Sequence, residues 1–531
     1  MSIDKTPHIE KINGHPVLKV DGHPFIMIAG EVHNSSASSV QYMEKIWEKA
    51  EELGLNTLLL PVSWELIEPK EGVFDFSIVH GLIGQARKRR MKIGLLWFGS
   101  WKNAQCYYAP EWVKTDINRF LRAEVVKGKP FIRNEAFYGM PYSTLSYLCD
   151  ENMRADAGAF GKLMAFIRET DSDEHTVITV QVENETGLMG AAREHSEEAD
   201  KAFSSEVPRD FADFMHSNTG TMTHEVRLAV ENGKRYGNWE AVFGTQAEEI
   251  FSAYHIAKYV NTVAEAGKRE YPLPFTVNCW LNKPGEKPGS YPSGGPVSKM
   301  AEVWHFCAPN IDVITPDIYV PNFSEICDEY TRRGNPLYIP ECATHSYAGT
   351  RELLCVGRYH AMCYSPFGFE DIGLPFNNSQ MALFGIDVTD PALATPQNAE
   401  NYGRISRILC SMMPVLTSEY GTKSLQASSA EVDKTACFSM GKYIINVSFP
   451  SPDGACLVLQ ESEDRFYIVV QSAYISFESA DPKRPGIDIL SLEEGEFIHN
   501  QWNCIRRLNG DEAVMNNHEK PTLLRAKLFA F

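Results

Sequence analysis

Two short apolar runs, Thr176–Val182 and Pro336–Ile339, each lead straight into a glutamate. The first continues as Glu183-Asn184-Glu185-Thr186-Gly187 and the second as Pro340-Glu341. Strands buried on both faces of a parallel sheet read as continuous apolar runs. In a closed parallel barrel, reactive side chains collect at the C-terminal ends of such strands. The pattern recurs along the chain. Eight strand-like segments end near Glu31, Trp64, Phe98, Glu185, Trp280, Tyr319, Glu341 and Phe367, with helix-like stretches such as Val40–Leu53 and Glu248–Ala266 between them. The alternation predicts an α/β chain whose residues 1–375 form a (β/α)8 TIM barrel.

At 531 residues the chain is longer than one hydrophobic core usually supports, so further domains are expected. Alternation over Ile9–Ile28, broken at Asn13-Gly14 and Asp21-Gly22, predicts a β-hairpin ahead of the barrel. The connections 100–152 and 187–239 are long and rich in aromatics and glycine, as expected of segments that shape a cleft or a subunit contact. Residues 376–430 read as a helical connection, with the helix over 390–412. Residues 431–531 read as a C-terminal β-sandwich-like domain, with runs such as Tyr443–Phe449, Cys456–Gln460 and Arg465–Ile475.

A formal charge of −19 speaks against nucleic acid or an anionic membrane as partner and suits a neutral substrate. The opening residues lack the apolar core of a secretory signal, and no run is long enough to cross a bilayer. Twelve cysteines without a Cys-x-x-Cys pair fit reduced thiols, so a cytoplasmic address is expected and a homo-oligomer is left open.

Glu185 and Glu341 are the candidate catalytic pair. Glycoside hydrolysis needs two carboxyl groups about one bond, one protonated to serve the leaving oxygen and one ionised to meet the sugar cation. Burial and nearby negative charge raise a strand-end carboxyl's pKa, and Glu183 and the other catalytic carboxylate are the candidates to supply that charge to Glu185. Asn184 is placed to bond a sugar hydroxyl, and Tyr319 to donate to Glu341. Glu31, His33 and Trp64 stand at strand ends, and Trp101 and Trp280 are candidate stacking platforms, although tryptophans there also serve ordinary packing. Cys342-x-x-His345 and His360-x-x-Cys363 have zinc-like spacing but fall beside the last two strands, where buried Cys and His are ordinary, so neither metal nor cofactor is expected. Arg87-Lys88-Arg89-Arg90 reads as a solvated helix end. There is no nucleophile elbow, phosphate loop or dinucleotide fingerprint.

The segment Trp64–Phe76 resembles a recurring piece of the retaining glycosidases of clan A. Together with Ile12–Asn34, Gln181–Gly187 and Glu341, it resembles glycoside hydrolase family 35, whose best-known members are β-galactosidases. That resemblance covers about the first 370 residues and implies Glu185 as acid/base and Glu341 as nucleophile. The tail, Arg506–Glu512, resembles the end of a C-terminal β domain in a bacterial subgroup of the family, some of whose members act on xyloglucan oligosaccharides. Two strands depart from the family pattern. Pro61-Val62-Ser63-Trp64 stands where many members have Tyr-Val-Pro-Trp, and the third strand end, Trp97–Asn103, lacks the carboxylate that usually holds galactose, with Asn103 the residue to replace it. The leading expectation is a retaining exo-β-glycosidase releasing terminal β-galactose from oligosaccharides by double displacement. The alternatives are a β-glucosidase or β-glucosyl-transferring enzyme using the same glutamates, or a catalytically silent sugar-binding barrel.

Overall fold

The structure, a computed structural model, describes residues 5–134, 140–375, 395–515 and 518–531. The eight expected strands are β1 (Met27–Glu31), β2 (Thr57–Ser63), β3 (Lys92–Phe98), β4 (Val177–Val182), β5 (Phe275–Trp280), β6 (Val313–Asp317), β7 (Tyr338–Ile339) and β8 (Cys363–Tyr364). Every residue of β1, β2 and β4 is buried, which is why their sequences are apolar without alternation. The strands form one sheet in the order β6-β5-β4-β3-β2-β1-β8-β7, and the fold is a (β/α)8 TIM barrel.

By contacts the chain divides into two compact units. One comprises Val32–Glu44 and Leu59–Ile318 and carries β3 to β6 with most of β2. Its longest helices are α1 (Asp150–Asp171) and α2 (Ala247–Glu270). Gly267 permits their close approach, because a Cβ there would lie 2.3 Å from Phe160 Cε1. The connection after β3 holds a short helix, Glu111–Thr115, and a small antiparallel ladder between Ile132–Asn134 and Met140–Tyr142. The connection after β4 holds four helices ahead of α2: Glu197–Ser204, Arg209–Ser217, His224–Asn232 and Trp239–Phe243.

The other unit comprises Met1–Glu31, Lys45–Leu58 and Tyr319–Phe531. The expected N-terminal hairpin is a three-stranded antiparallel meander of His8–Ile12, His15–Val20 and His23–Phe25. Asn13, Gly14, Asp21 and Gly22 all have positive φ, so both turn dipeptides form two-residue turns and the second adds the third strand. After the barrel strands comes helix α4 (Ala399–Ser418). The helix expected over 390–412 thus begins later and runs past Pro414, with Thr417 Oγ1 donating to the Met413 carbonyl at 2.8 Å; residues 376–394 lie outside the described residues.

A C-terminal region of two antiparallel sheets follows. Six strands pair in the order β9 (Leu425–Ser429), β12 (Ala455–Ser462), β13 (Arg465–Gln471), β17 (Thr522–Ala530), β15 (Ile487–Ile498), β16 (Gln501–Leu508). Three more pair in the order β10 (Thr435–Met440), β11 (Tyr443–Ser448), β14 (Tyr474–Ser479). Phe438, Tyr443, Ile445, Val458, Phe466, Ile468 and Leu524 share one apolar core. The first strand, β9, begins six residues before the expected start at 431. Within this unit, helix α3 (Ala348–Tyr359) packs on the six-stranded sheet at Gly357, where a Cβ would meet Ala427 Cβ at 2.5 Å and Leu457 Cδ1 at 2.8 Å. The fully buried Arg351 guanidinium on the same helix pairs with both carboxylate oxygens of Glu431 and lies over the Phe323 ring.

Candidate active site

Around Glu185 the backbone is bent twice. Glu183 has φ +64° and Glu185 φ +46°, conformations that cost a non-glycine residue about 1–3 kcal/mol and persist where the surroundings dictate them. Across from them, Asn103 and Ala104 at the start of the connection after β3 also have positive φ, 52° and 55°. The two bends are bonded to each other. Ala104 N–H donates to the Glu185 carbonyl at 3.0 Å, and Asn184 N–H to the Trp101 carbonyl at 3.2 Å. The Glu185 side chain is buried and its Oε2 accepts from Asn103 Nδ2 at 2.6 Å. Its N–H donates to Asn278 Oδ1 at 2.9 Å, and Asn278 in turn donates through Nδ2 to Asp317 Oδ2 at 2.8 Å. Asn184 is fully buried, with Oδ1 accepting from the buried Lys102 Nζ at 3.1 Å. Loop and strand ends therefore hold Glu185 at its backbone and at one carboxyl oxygen.

Below it sits a second acid layer. Glu183 Oε2 accepts from Trp101 N–H at 2.7 Å, and the Asp156 carboxyl of α1 stands beside the Glu183 carboxyl. Burial, then the Asp156 charge, pushes the Glu183 carboxyl well above the usual carboxylate range. Asp156 accepts from Trp97 Nε1 at 2.9 Å, from Ser100 Oγ at 2.6 Å and from Ser100 N–H at 3.1 Å.

In the other unit, Glu341 follows β7 and is 5 % exposed; Tyr319 donates its hydroxyl to Glu341 Oε2 at 2.8 Å. That is the bond expected from sequence. Glu31 ends β1 fully buried, with its backbone bonded to Pro366 and Gly368.

The aromatic candidates divide. Trp280, at the end of β5, is half-buried, as is His33 just beyond β1. Trp101 is fully buried, donates Nε1–H to the Gly187 carbonyl at 3.2 Å and packs edge-on to Tyr259, so it offers no open face to a sugar. Trp64 is likewise turned inward, bonded to Glu68 at 2.9 Å. Both are framework residues, a correction to the expected stacking and binding roles. The zinc-like spacing also resolves into separate contacts. Cys342 Sγ meets the Ser365 carbonyl, His345 Nδ1 accepts from Tyr347 N–H, and His360 Nδ1 accepts from Gly421 N–H.

Asp156, Ser100, Lys102, Tyr259 and Asn278 were not singled out from sequence. Asp156 did leave a trace, as an acid on the apolar stripe of α1 between Asn152 and Phe160.

Comparison with known proteins adds to this geometry. Residues 17–93 match the profile described as Glycosyl hydrolases family 35, and residues 402–518 match a domain of unknown function, DUF5597. No curated protein matches the chain. Among solved structures, a β-galactosidase from Bacillus circulans sp. alkalophilus is 13% identical, with a TM-score of 0.45 and coverage of 74% of this chain and 57% of that one. An exo-β-1,4-mannosidase from Opitutaceae bacterium strain TAV5 is 14% identical, with a TM-score of 0.40 and coverage of 73% and 60%. The catalytic domain of a β-amylase from Paenibacillus polymyxa is 10% identical, with a TM-score of 0.43 and coverage of 69% and 98%. The chain thus spans under two thirds of the length of the first two. Over residues 17–93 the chain is similar to glycosyl hydrolases of family 35, and a β-rich C-terminal region follows the barrel.

Proposed function

We propose that this family 35-like glycoside hydrolase is a retaining exo-β-glycosidase in which Glu341 attacks the anomeric carbon and Glu185 protonates the departing oxygen. Water, activated by Glu185 in its second role, then releases the sugar. The observation that carries the reading is the matched placement of two buried strand-end carboxyl groups, each accepting from a neutral donor: Tyr319 on Glu341 and Asn103 on Glu185. A donated hydrogen bond favours the ionised form, as a nucleophile requires.

Terminal β-galactose on an oligosaccharide is the first substrate to test. A specific contact favours β-glucosides as the second reading. Asn103, the residue standing where family members hold galactose, is committed to Glu185 at 2.6 Å.

Matched aryl β-galactoside and β-glucoside, followed for aglycone release and for the anomer first formed, test the assignment. Turnover with retained configuration that disappears in Glu341→Gln supports it. An inverted first product, or turnover unchanged in Glu341→Gln, overturns it.

A further inference from the structure

A buried carboxyl pair lies behind the acid/base candidate. Glu183 and Asp156 approach one another over Gly99, where a Cβ would stand 2.7 Å from both Glu183 Oε1 and Asp156 Oδ1, so only glycine fits between loop and acids. Both acids are fully buried. Two carboxylates cannot both stay ionised in such a place. The donors say which one keeps the charge. Asp156 accepts from Trp97 Nε1, Ser100 N–H and Ser100 Oγ, with Tyr259 hydroxyl at 3.4 Å. Glu183 accepts from Trp101 N–H on Oε2 and also faces the Ser100 N–H that bonds Asp156, while its buried Oε1 lacks a donor at hydrogen-bond distance. A proton on Oε1, donated to Asp156, satisfies that oxygen and leaves one negative charge where the donors converge.

We propose that Glu183 and Asp156 share one proton, held on Glu183, and that this pair is the positioning element that fixes residues 99–104 and thereby the Asn103 donor on Glu185. The proposal rests on Glu185 as the acid/base. The pair grips three consecutive points of the loop: Gly99 by contact, Ser100 through Asp156, and Trp101 through Glu183. Two residues later the chain turns through Asn103 at φ +52° and delivers its amide to Glu185. The pair faces Tyr259 on α2, which itself stands beside Cys149 ahead of α1; Glu185 and Asn184 face Tyr142 on the small ladder, Lys102 on the loop itself and the Asp317 carboxyl at the end of β6, one oxygen of which lies within 4.8 Å of a Glu185 oxygen.

The test uses full-length protein carrying carboxyl-13C glutamate and needs no substrate. Resonances are assigned by their loss in Glu183→Gln and Glu185→Gln. We expect the Glu183 signal to stay in its protonated position through neutral pH. Glu185 is expected to titrate at higher pH by about one unit in Asp156→Asn and in Asn103→Ala, since losing a donor to a carboxylate disfavours its ionised form. Ser100→Ala, which removes the 2.6 Å donor to Asp156, gives the same direction if Asp156→Asn does not fold. Glu183→Gln, which keeps a donor toward Asp156 and an acceptor for Trp101, leaves the Glu185 titration as in the wild type, whereas Glu183→Ala raises it. An ionised Glu183 at neutral pH, or a Glu185 titration indifferent to Asp156, overturns the proposal. Silence toward every glycoside bears on the enzymatic reading instead and leaves these titrations to be judged alone.

Discussion

The surroundings of Glu185 and the C-terminal sheets are both densely packed, but different forces place their side chains. Near Glu185, positions are set by hydrogen bonds between residues distant in sequence, with four non-glycine residues in the left-handed region: Glu183, Glu185, Asn103 and Ala104. In the sheets, Phe438, Tyr443, Val458, Phe466 and Leu524 are set by apolar contact across paired strands. Apolar packing is nondirectional and forgives a change of shape, while a hydrogen-bonded layer tolerates changes of size poorly and changes of donor or acceptor hardly at all. Activity should therefore be lost in the first region without loss of fold, and fold lost in the second without a specific change in chemistry.

The largest separation is expected from Glu185→Gln and Glu341→Gln. Each should lower kcat by about 10³-fold or more with little change in melting temperature, read by aryl glycoside turnover beside calorimetry. Phe466→Ala should do the reverse, costing about 3–5 kcal/mol in denaturant unfolding while kcat of the folded fraction stays unchanged. Arg351→Leu sharpens the contrast from the other side, because it strands Glu431 without its partner; about 3 kcal/mol of stability should be lost. If Phe466→Ala altered kcat at full occupancy of the fold, the division between the regions would fail.

The smallest effect concerns Glu352. It is buried on α3 with Ser406 Oγ at 2.9 Å, and burial pushes it up to about 8 from an ordinary 4.5. Its folded pKa lies above its unfolded one, so between those values the unfolded chain binds fewer protons and stability falls as pH rises. The window runs from the model peptide range of 4.5 to about 8. Glu352→Gln should therefore gain progressively on the wild type as pH rises across that window, measured as unfolding free energy at several pH values. A pH-independent difference would mean that Glu352 titrates alike in both states.

What sequence could deliver follows the same division. The barrel strands were legible because both-face burial writes itself as an apolar run, and β4 shows this over all six of its residues. Asn13-Gly14 and Asp21-Gly22 announced their turns because positive φ restricts the residue choice locally. The Tyr319–Glu341 bond was reachable because two neighbouring strand ends must lie close together. Asp156 was not reachable as a partner of Glu183, since nothing local to either residue encodes a contact across 27 positions of helix and strand. Trp101 misled because a tryptophan after a strand reads the same whether its indole faces a cleft or, as here, Tyr259 and the Gly187 carbonyl. Helix α4 runs through Pro414 although proline lacks the N–H that would bond the Cys410 carbonyl, and a proline read locally signals a helix end rather than this continuation.

The buried Arg351–Glu431 pair has a practical consequence for anyone dividing this protein. Arg351 lies on the helix between β7, which presents Glu341, and β8, while Glu431 lies two residues past β9. A truncation placed at the apparent end of the barrel would leave a guanidinium buried with no counter-charge and would strip Gly357 of the Ala427 and Leu457 surface it was shaped to meet. The C-terminal region is, in engineering terms, not detachable: a minimal catalytic fragment must retain it or redesign the outer face of α3.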